Sequence, residues 1–374
     1  MPPEFDVTII GAGIAGLAIA SEIAQQTRRV FVFEKNHTFG LEISSRNSEV
    51  IHTGIYYPED SLKTKFCIEG KSLLYELCER HGIACKKLGK LILAVTEDEV
   101  AQLEKIYRQG KKNGVDDLVQ LSRKEIKKLE PNVEGIAALL SPSTGILDSY
   151  SLLKIFYGQA REKGAEFVFN TEVVGIERTG TKYQVQIKDR DGISALVTRV
   201  VINVAGLNSG RIAQLAGLDV AKAGYELHYC KGEYFSLSSK YRHLASRLIY
   251  PPPEQTGMGI HVTPTLDGRM LLGPNARYVK TIDYTVDEAQ KPVFYKSIKR
   301  FIPFIELEDL EPESAGVRPK LQAPGAPFRD FIIAHEKNVG FPGLINLIGI
   351  ESPGLTASPA IASYIGKIVG EILN

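Results

Sequence analysis

Three glycines and one acid near the start of the chain are the first residues whose types and spacing could do chemistry. The segment Val7-Thr8-Ile9-Ile10-Gly11-Ala12-Gly13-Ile14-Ala15-Gly16-Leu17 reads as a buried strand, a tight turn and a helix start. Gly11 permits the turn, Gly13 lets a pyrophosphate approach the backbone, and Gly16 lets the helix pack on the strand. Phosphates would sit on the free N–H groups around Ile14 and Ala15, at the positive end of that helix. A second apolar run, Arg29-Val30-Phe31-Val32-Phe33, ends in Glu34-Lys35. An acid about 20 residues past the first glycine can accept from a ribose hydroxyl, and it favours an adenosine ribose over a 2′-phosphate. Far along the chain stands a different tool, Arg318. Its planar guanidinium can hold a carboxylate through two parallel hydrogen bonds. Gly316 and Pro319 constrain the backbone around it, and an interdomain salt bridge is its plainer use.

These residues need elements to position them. The start reads as β-α-β over residues 5–35, followed by a polar loop at 40–60. Helices are expected at 62–81, 97–113, 122–129, 149–163 and 287–301, and a last one at about 358–373. Strands are expected at 90–95, 166–170, 197–204, 232–237, 258–262, 270–272 and 344–349, with a hairpin over 171–178 and 183–188. This order predicts an α/β chain in an α+β arrangement of two domains. One is a Rossmann-like dinucleotide domain, discontinuous over 1–82, 146–222 and 325–374. The other is a mixed or antiparallel sheet inserted at 83–145 and 223–324, expected to hold the substrate.

Composition excludes several classes. Lys plus Arg (45) balance Asp plus Glu (44) over 374 residues, so no global field favours nucleic acid. The four cysteines show neither a CxxC nor a metal-ligand spacing, so free thiols and no metal are expected. No apolar run reaches transmembrane length. The nucleotide motif lies within ten residues of Met1, which predicts a cytoplasmic chain and leaves a peripheral contact at the inner membrane open.

Three glycine-bearing strand ends point toward one ligand: Gly11 to Gly16, Ala205-Gly206, and Gly349 to Gly354. Ligands of open parallel sheets bind outside the carboxyl ends of strands, and three such turns suit an extended FAD better than NAD. The last helix, expected to begin at about Thr356–Ala360, could stabilise an anionic reduced flavin with its positive end.

Longer segments carry a family resemblance. They are Ser44-Ser45-Arg46-Asn47-Ser48-Glu49-Val50-Ile51-His52-Thr53-Gly54, Leu88-Gly89-Lys90-Leu91, Lys231-Gly232-Glu233-Tyr234, Gly259-Ile260-His261-Val262-Thr263-Pro264, Gly316-Val317-Arg318 and Gly349-Ile350-Glu351-Ser352-Pro353-Gly354-Leu355-Thr356. Through them the whole chain resembles the FAD-dependent oxidoreductases of the D-amino-acid oxidase and glycine oxidase type, and within these the L-2-hydroxyglutarate dehydrogenase/oxidase branch. Arg46, Glu49 and Pro319-Lys320 depart from that branch.

The resemblance implies a flavin held without a covalent bond, since no cysteine follows Cys230. It implies that Ser44, Ser45, Asn47 and Ser48 hydrogen-bond the cofactor and that Val50 lies near its reactive nitrogen. Val173, Ala205, Gly206, Gly349, Ser352, Pro353, Gly354, Leu355 and Thr356 complete the expected cofactor set. It also implies oxidation of a small carboxylate substrate, with quinone or oxygen as electron acceptor. Hydride loss from an alcohol leaves an O–H proton, and His52 and His261 are the candidate bases. Arg318 is the expected carboxylate clamp. Lys231 could meet a second carboxylate or polarise the flavin, and Tyr250 could line the pocket. Arg46 is expected near the ring or paired with Glu49. Oxidation of an amino acid, or a flavoprotein subunit without turnover, are the alternatives.

Overall fold

A computed structural model describes residues 4–25, 28–253 and 259–373. The strand Glu4–Ile10 buries Val7 and Ile9 completely and pairs in parallel with Val30–Phe33 and with Gly192–Asn203. The helix Ile14–Ile23 makes the crossover between the first two strands, and almost every one of its residues is buried. It is covered by the helices Leu62–His81, Ser149–Glu162 and Gly354–Leu373, whose apolar faces share one core with it. Ile212, Ala213 and Leu218 cover the opposite face of the sheet. This eight-stranded sheet therefore has the two-sided cover that buried parallel strands require.

The strand Gly192–Asn203 is longer than the apolar run at 197–204 suggests. Its first half turns back through Asp191-Gly192 to pair antiparallel with Lys182–Asp189. Its second half takes Leu344–Ile348 on the same edge. One strand thus carries both the hairpin and the return of the chain's end to the sheet.

A second, nine-stranded sheet draws its strands from residues 90–141 and 228–320. Its spine is a ten-residue pairing between His228–Leu237 and Leu310–Lys320. The sequence suggests no strand over 310–320, where Glu311-Pro312-Glu313 carries no apolar alternation, and these three residues are exposed in the structure. The buried half, Ala315 to Lys320, carries the pairing into the molecule. Phe235 packs on Phe294 of the helix Lys291–Lys299, with ring centroids 4.6 Å apart. The strand expected at 258–262 begins outside the described residues at Met258, and the described strand is Val262–Pro264. A small third sheet joins Val50–Ile51, Gly145–Leu147 and Cys85–Lys86.

The last helix starts at Gly354, four residues earlier than expected. Pro359 suggests a later start because it lacks the N–H that would bond Leu355. The Ser358 hydroxyl donates to that carbonyl instead (2.9 Å), so the helix runs through. Among the described residues no helix is long and apolar enough to cross a membrane.

Candidate active site

The first strand ends in a turn that only glycine fits. Gly11 has φ +110°, and a Cβ there would stand 2.7 Å from the Val204 carbonyl oxygen. A Cβ on Gly16 would stand 2.0 Å from the Gly11 carbonyl oxygen, so the helix can approach the strand only without one. Glu34 is buried at the end of the second strand. It accepts from the backbone N–H of Ala12 (2.9 Å) and from both nitrogens of Asn36 (2.9 and 2.8 Å). These bonds fix the carboxylate beside the glycine turn.

A cavity of about 930 Å³ starts here and runs along the carboxyl ends of the strands. Gly11, Gly13, Ile14, Ala15, Glu34, Lys35 and Val173 line one end of it. Ala205, Gly206, Ser44, Asn47, Ser48 and Val50 follow, and Ser352, Pro353, Gly354 and Leu355 close the far side. His52, Tyr250, His261 and Arg318 stand on the same cavity. An elongated space with a glycine cradle, an oriented acid and a helix N-terminus fits an FAD in extended form.

Five residues expected in the site do not line this cavity. Gly16 acts by close packing. Ser45 turns away, and its hydroxyl donates to the Glu42 carbonyl at 3.2 Å. Gly349 is pressed against Leu321, 2.7 Å from where its Cβ would stand. Thr356 is a brace: its Oγ1 accepts from the His52 N–H (3.0 Å) and donates to the Val50 carbonyl (3.2 Å). It ties the Val50–His52 segment to the last helix. Lys231 is a buried partner of Asp283 (2.8 Å), with Glu233 at 3.7 Å, so its charge is already matched away from the cavity. Arg46 does not pair with Glu49. Its guanidinium lies 4.0 Å from the Tyr284 ring centroid, while Glu49 accepts from Ser149 (2.7 Å).

At the chemical end, Arg318 reaches the site from the strand that the sequence hid. Its Nη2 donates to the Asn275 carbonyl (2.7 Å), and it makes no ion pair among the described residues. An interdomain salt bridge is therefore not its role there. His261 lies flat on Tyr250, centroids 3.7 Å apart and planes 17° apart. Its Nδ1 faces the Gly259 carbonyl at 2.8 Å, so the proton belongs on Nδ1, and Nε2 is left as an acceptor without a partner among the described residues. Ser352 Oγ lies 3.4 Å from His52 Nε2. Burial, then the charge of Lys90, lowers His52 to about 3. Burial likewise lowers His261 to about 3, against the opposing pull of the Gly259 carbonyl. Both imidazoles are neutral at physiological pH, the form that can accept a proton.

Sequence reasoning missed two further features. Lys63 and Glu351 form a buried ion pair (2.9 Å), with Lys320 at 4.0 Å from the same carboxylate. Burial pushes the Glu351 carboxyl up, but Lys63 and Lys320 hold it below its usual value. A signal existed, since Lys63 sits in the first turn of a helix, where a cation is disfavoured without a partner. The second feature is Lys90, whose ammonium position is sealed from water beneath the site. Its signal was a lysine heading the apolar run Leu91-Ile92-Leu93.

Fold and cavity together define a flavin-dependent oxidoreductase, and comparison with known proteins agrees. The profile of the DAO family, FAD dependent oxidoreductase, matches residues 6–368, and the chain belongs to this family. It is 37% identical to the mitochondrial L-2-hydroxyglutarate dehydrogenase of Arabidopsis thaliana, covering 97% of this chain and 83% of that one. It is 32% identical to the glycerol 3-phosphate dehydrogenase of Caloramator mitchellensis, covering 98% and 74%. Among solved structures it matches the L-alpha-glycerophosphate oxidase of Mycoplasma pneumoniae with FAD bound, at TM-score 0.87 and 30% identity over 98% and 95% of the two chains. FAD is the cofactor of this enzyme.

Proposed function

We propose that the chain oxidises a small 2-hydroxy acid to the 2-oxo acid, with L-2-hydroxyglutarate the leading substrate. One observation carries the reading: an arginine without an ion-pair partner among the described residues and two neutral imidazoles line one cavity with the glycine cradle. The names of the relatives support the choice of a hydroxy compound over an amine.

In this reading Gly11, Gly13, Ile14 and Ala15 hold the pyrophosphate and Glu34 the ribose. Ser44, whose hydroxyl accepts from the Ile14 N–H (2.9 Å), stands at the pyrophosphate end, and Asn47, Ser48, Val50 and the Ser352–Leu355 turn would hold the ribityl chain or the ring edge. Bound FAD supplies the acceptor for the hydride that leaves the substrate carbon. Arg318 holds the α-carboxylate and so fixes which face of that carbon is presented. His52 or His261 takes the hydroxyl proton as the carbonyl forms. Tyr250 keeps His261 in place by stacking. Reoxidation falls to a quinone or to oxygen, and a cytoplasmic enzyme with peripheral membrane contact fits either acceptor.

A second reading follows from the glycerophosphate relatives, in which Arg318 would hold a phosphate instead. Product analysis separates the readings. Incubation with L-2-hydroxyglutarate should yield a 2-oxo acid in amounts equal to the acceptor reduced, without ammonia. Turnover confined to glycerol 3-phosphate would establish the second reading, and ammonia from an amino acid would refute both.

A further inference from the structure

A dicarboxylic acid presents two carboxylates, and Arg318 accounts for one. Lys231, whose type suits the second, is set aside by its pairing with Asp283 (2.8 Å). Arg46 is also engaged. Its guanidinium lies on the Tyr284 ring, and its Nη1 donates to the Ala315 carbonyl (3.4 Å). Lys320 lines the same cavity with less to hold it. It is 9% exposed and makes no hydrogen bond among the described residues. Its ion-pair partner there is Glu351, at 4.0 Å, and that carboxylate already accepts from the Lys63 Nζ at 2.9 Å. One negative charge thus serves two lysines. A buried ammonium whose N–H groups go unmatched is costly, and an anionic ligand at Lys320 would relieve that cost.

The strand Leu310–Lys320 sets the distance between Arg318 and Lys320. They are alternate residues in unbroken register with Cys230 and His228 of the neighbouring strand. Alternate residues of a strand project from one face, with their Cα atoms about 6.5 Å apart. Both residues line the cavity, and Pro319 between them does not. The carboxyl carbons of an extended five-carbon diacid stand about 5 Å apart, from four C–C bonds of ordinary length. Two cations at this spacing can take the two ends of such an acid at once.

We propose that Lys320 binds the distal carboxylate of the substrate and thereby selects a dicarboxylic 2-hydroxy acid. This deepens the hydroxy-acid reading and rests on it. Arg318 fixes the α-carboxylate and Lys320 the far end, so the reacting carbon is held from both sides. Glu351 is a positioning residue: it matches the charge of Lys63 and leaves the Lys320 N–H groups for the ligand. A monocarboxylic acid of the same length leaves Lys320 buried without its anion, and that difference sets the selectivity.

The test is calorimetric binding of glutarate and pentanoate to the FAD-loaded protein, which needs no turnover. The two acids share their length and differ in the second carboxylate. Glutarate should bind the unaltered protein roughly 30-fold more tightly, the worth of one hydrogen-bonded charge. Lys320→Met and Lys320→Gln should bring the two Kd values together by weakening glutarate alone, and Lys320→Arg should keep most of the preference. The same variants should raise KM for L-2-hydroxyglutarate far more than they lower kcat. Equal affinities in the unaltered protein, or a preference retained in either uncharged variant, would overturn the proposal. If glutarate is preferred through Lys320 but no 2-hydroxy acid reduces the flavin, the functional reading fails and the subsite stands. If L-2-hydroxyglutarate is oxidised and the uncharged variants keep the preference, the subsite fails and the reading stands.

Discussion

Arg318 and the two histidines divide the chemistry, and each makes its own prediction. Arg318→Ala removes the charged fork that stands in the cavity wall with His52, His261 and Tyr250. It should cost about 2–5 kcal/mol in kcat/KM, most of it through KM, while the protein stays yellow. Loss of flavin in this variant would place Arg318 in cofactor binding instead. The histidines report through pH. Both are lowered from 6.5 to about 3 on folding, so the unfolded chain binds more protons between those values. The stability this gives is present above pH 6.5 and is lost as pH falls toward 3. Thermal melts across that window should show a falling Tm, and replacing both histidines by Gln should flatten the slope. An unchanged slope would mean the imidazoles are not buried as described.

The elements show why some of the site was legible in the sequence and some was not. The helix Leu62–His81 could be read to the residue because its ends carry local signals: the Ser61 hydroxyl accepts from the Thr64 N–H, and Gly82 takes the left-handed cap. The glycine turn could be read because its constraints lie within one strand and one helix. Gly16→Ala would drive a Cβ into the Gly11 carbonyl. The variant should lose FAD affinity at least tenfold in an apoprotein titration, and wild-type affinity would show that the turn has room to move. The strand Leu310–Lys320 could not be read, since its exposed Glu and Pro residues mask a pairing set by a partner some 80 residues away in sequence. Arg318 is legible from its chemical type and neighbours, not from its element. The role of Lys231 is not legible for the converse reason: nothing local shows that Asp283 neutralises it. Lys90 does not stand out in the sequence, because a buried strand hides one charge among apolar neighbours.

The whole molecule joins two sheets around one elongated cavity, and its cofactor must contribute to holding them together. The cavity wall takes residues from the Glu4–Ile10 turn, from the Val50–His52 segment, from Arg318 and from the last helix. A ligand that binds only the folded chain stabilises it by mass action, about 2.7 kcal/mol at a hundredfold excess over Kd. Stripping FAD should therefore lower the Tm, and adding it back should restore the Tm in a concentration-dependent way. The most direct measurement is the anaerobic visible spectrum of the yellow protein during titration with L-2-hydroxyglutarate, D-2-hydroxyglutarate, glycerol 3-phosphate and a panel of amino acids. Bleaching of the flavin band by L-2-hydroxyglutarate alone is the expected result. Bleaching by glycerol 3-phosphate alone, by amino acids alone, or by none of these compounds would contradict the assignment of a 2-hydroxy-acid oxidising site.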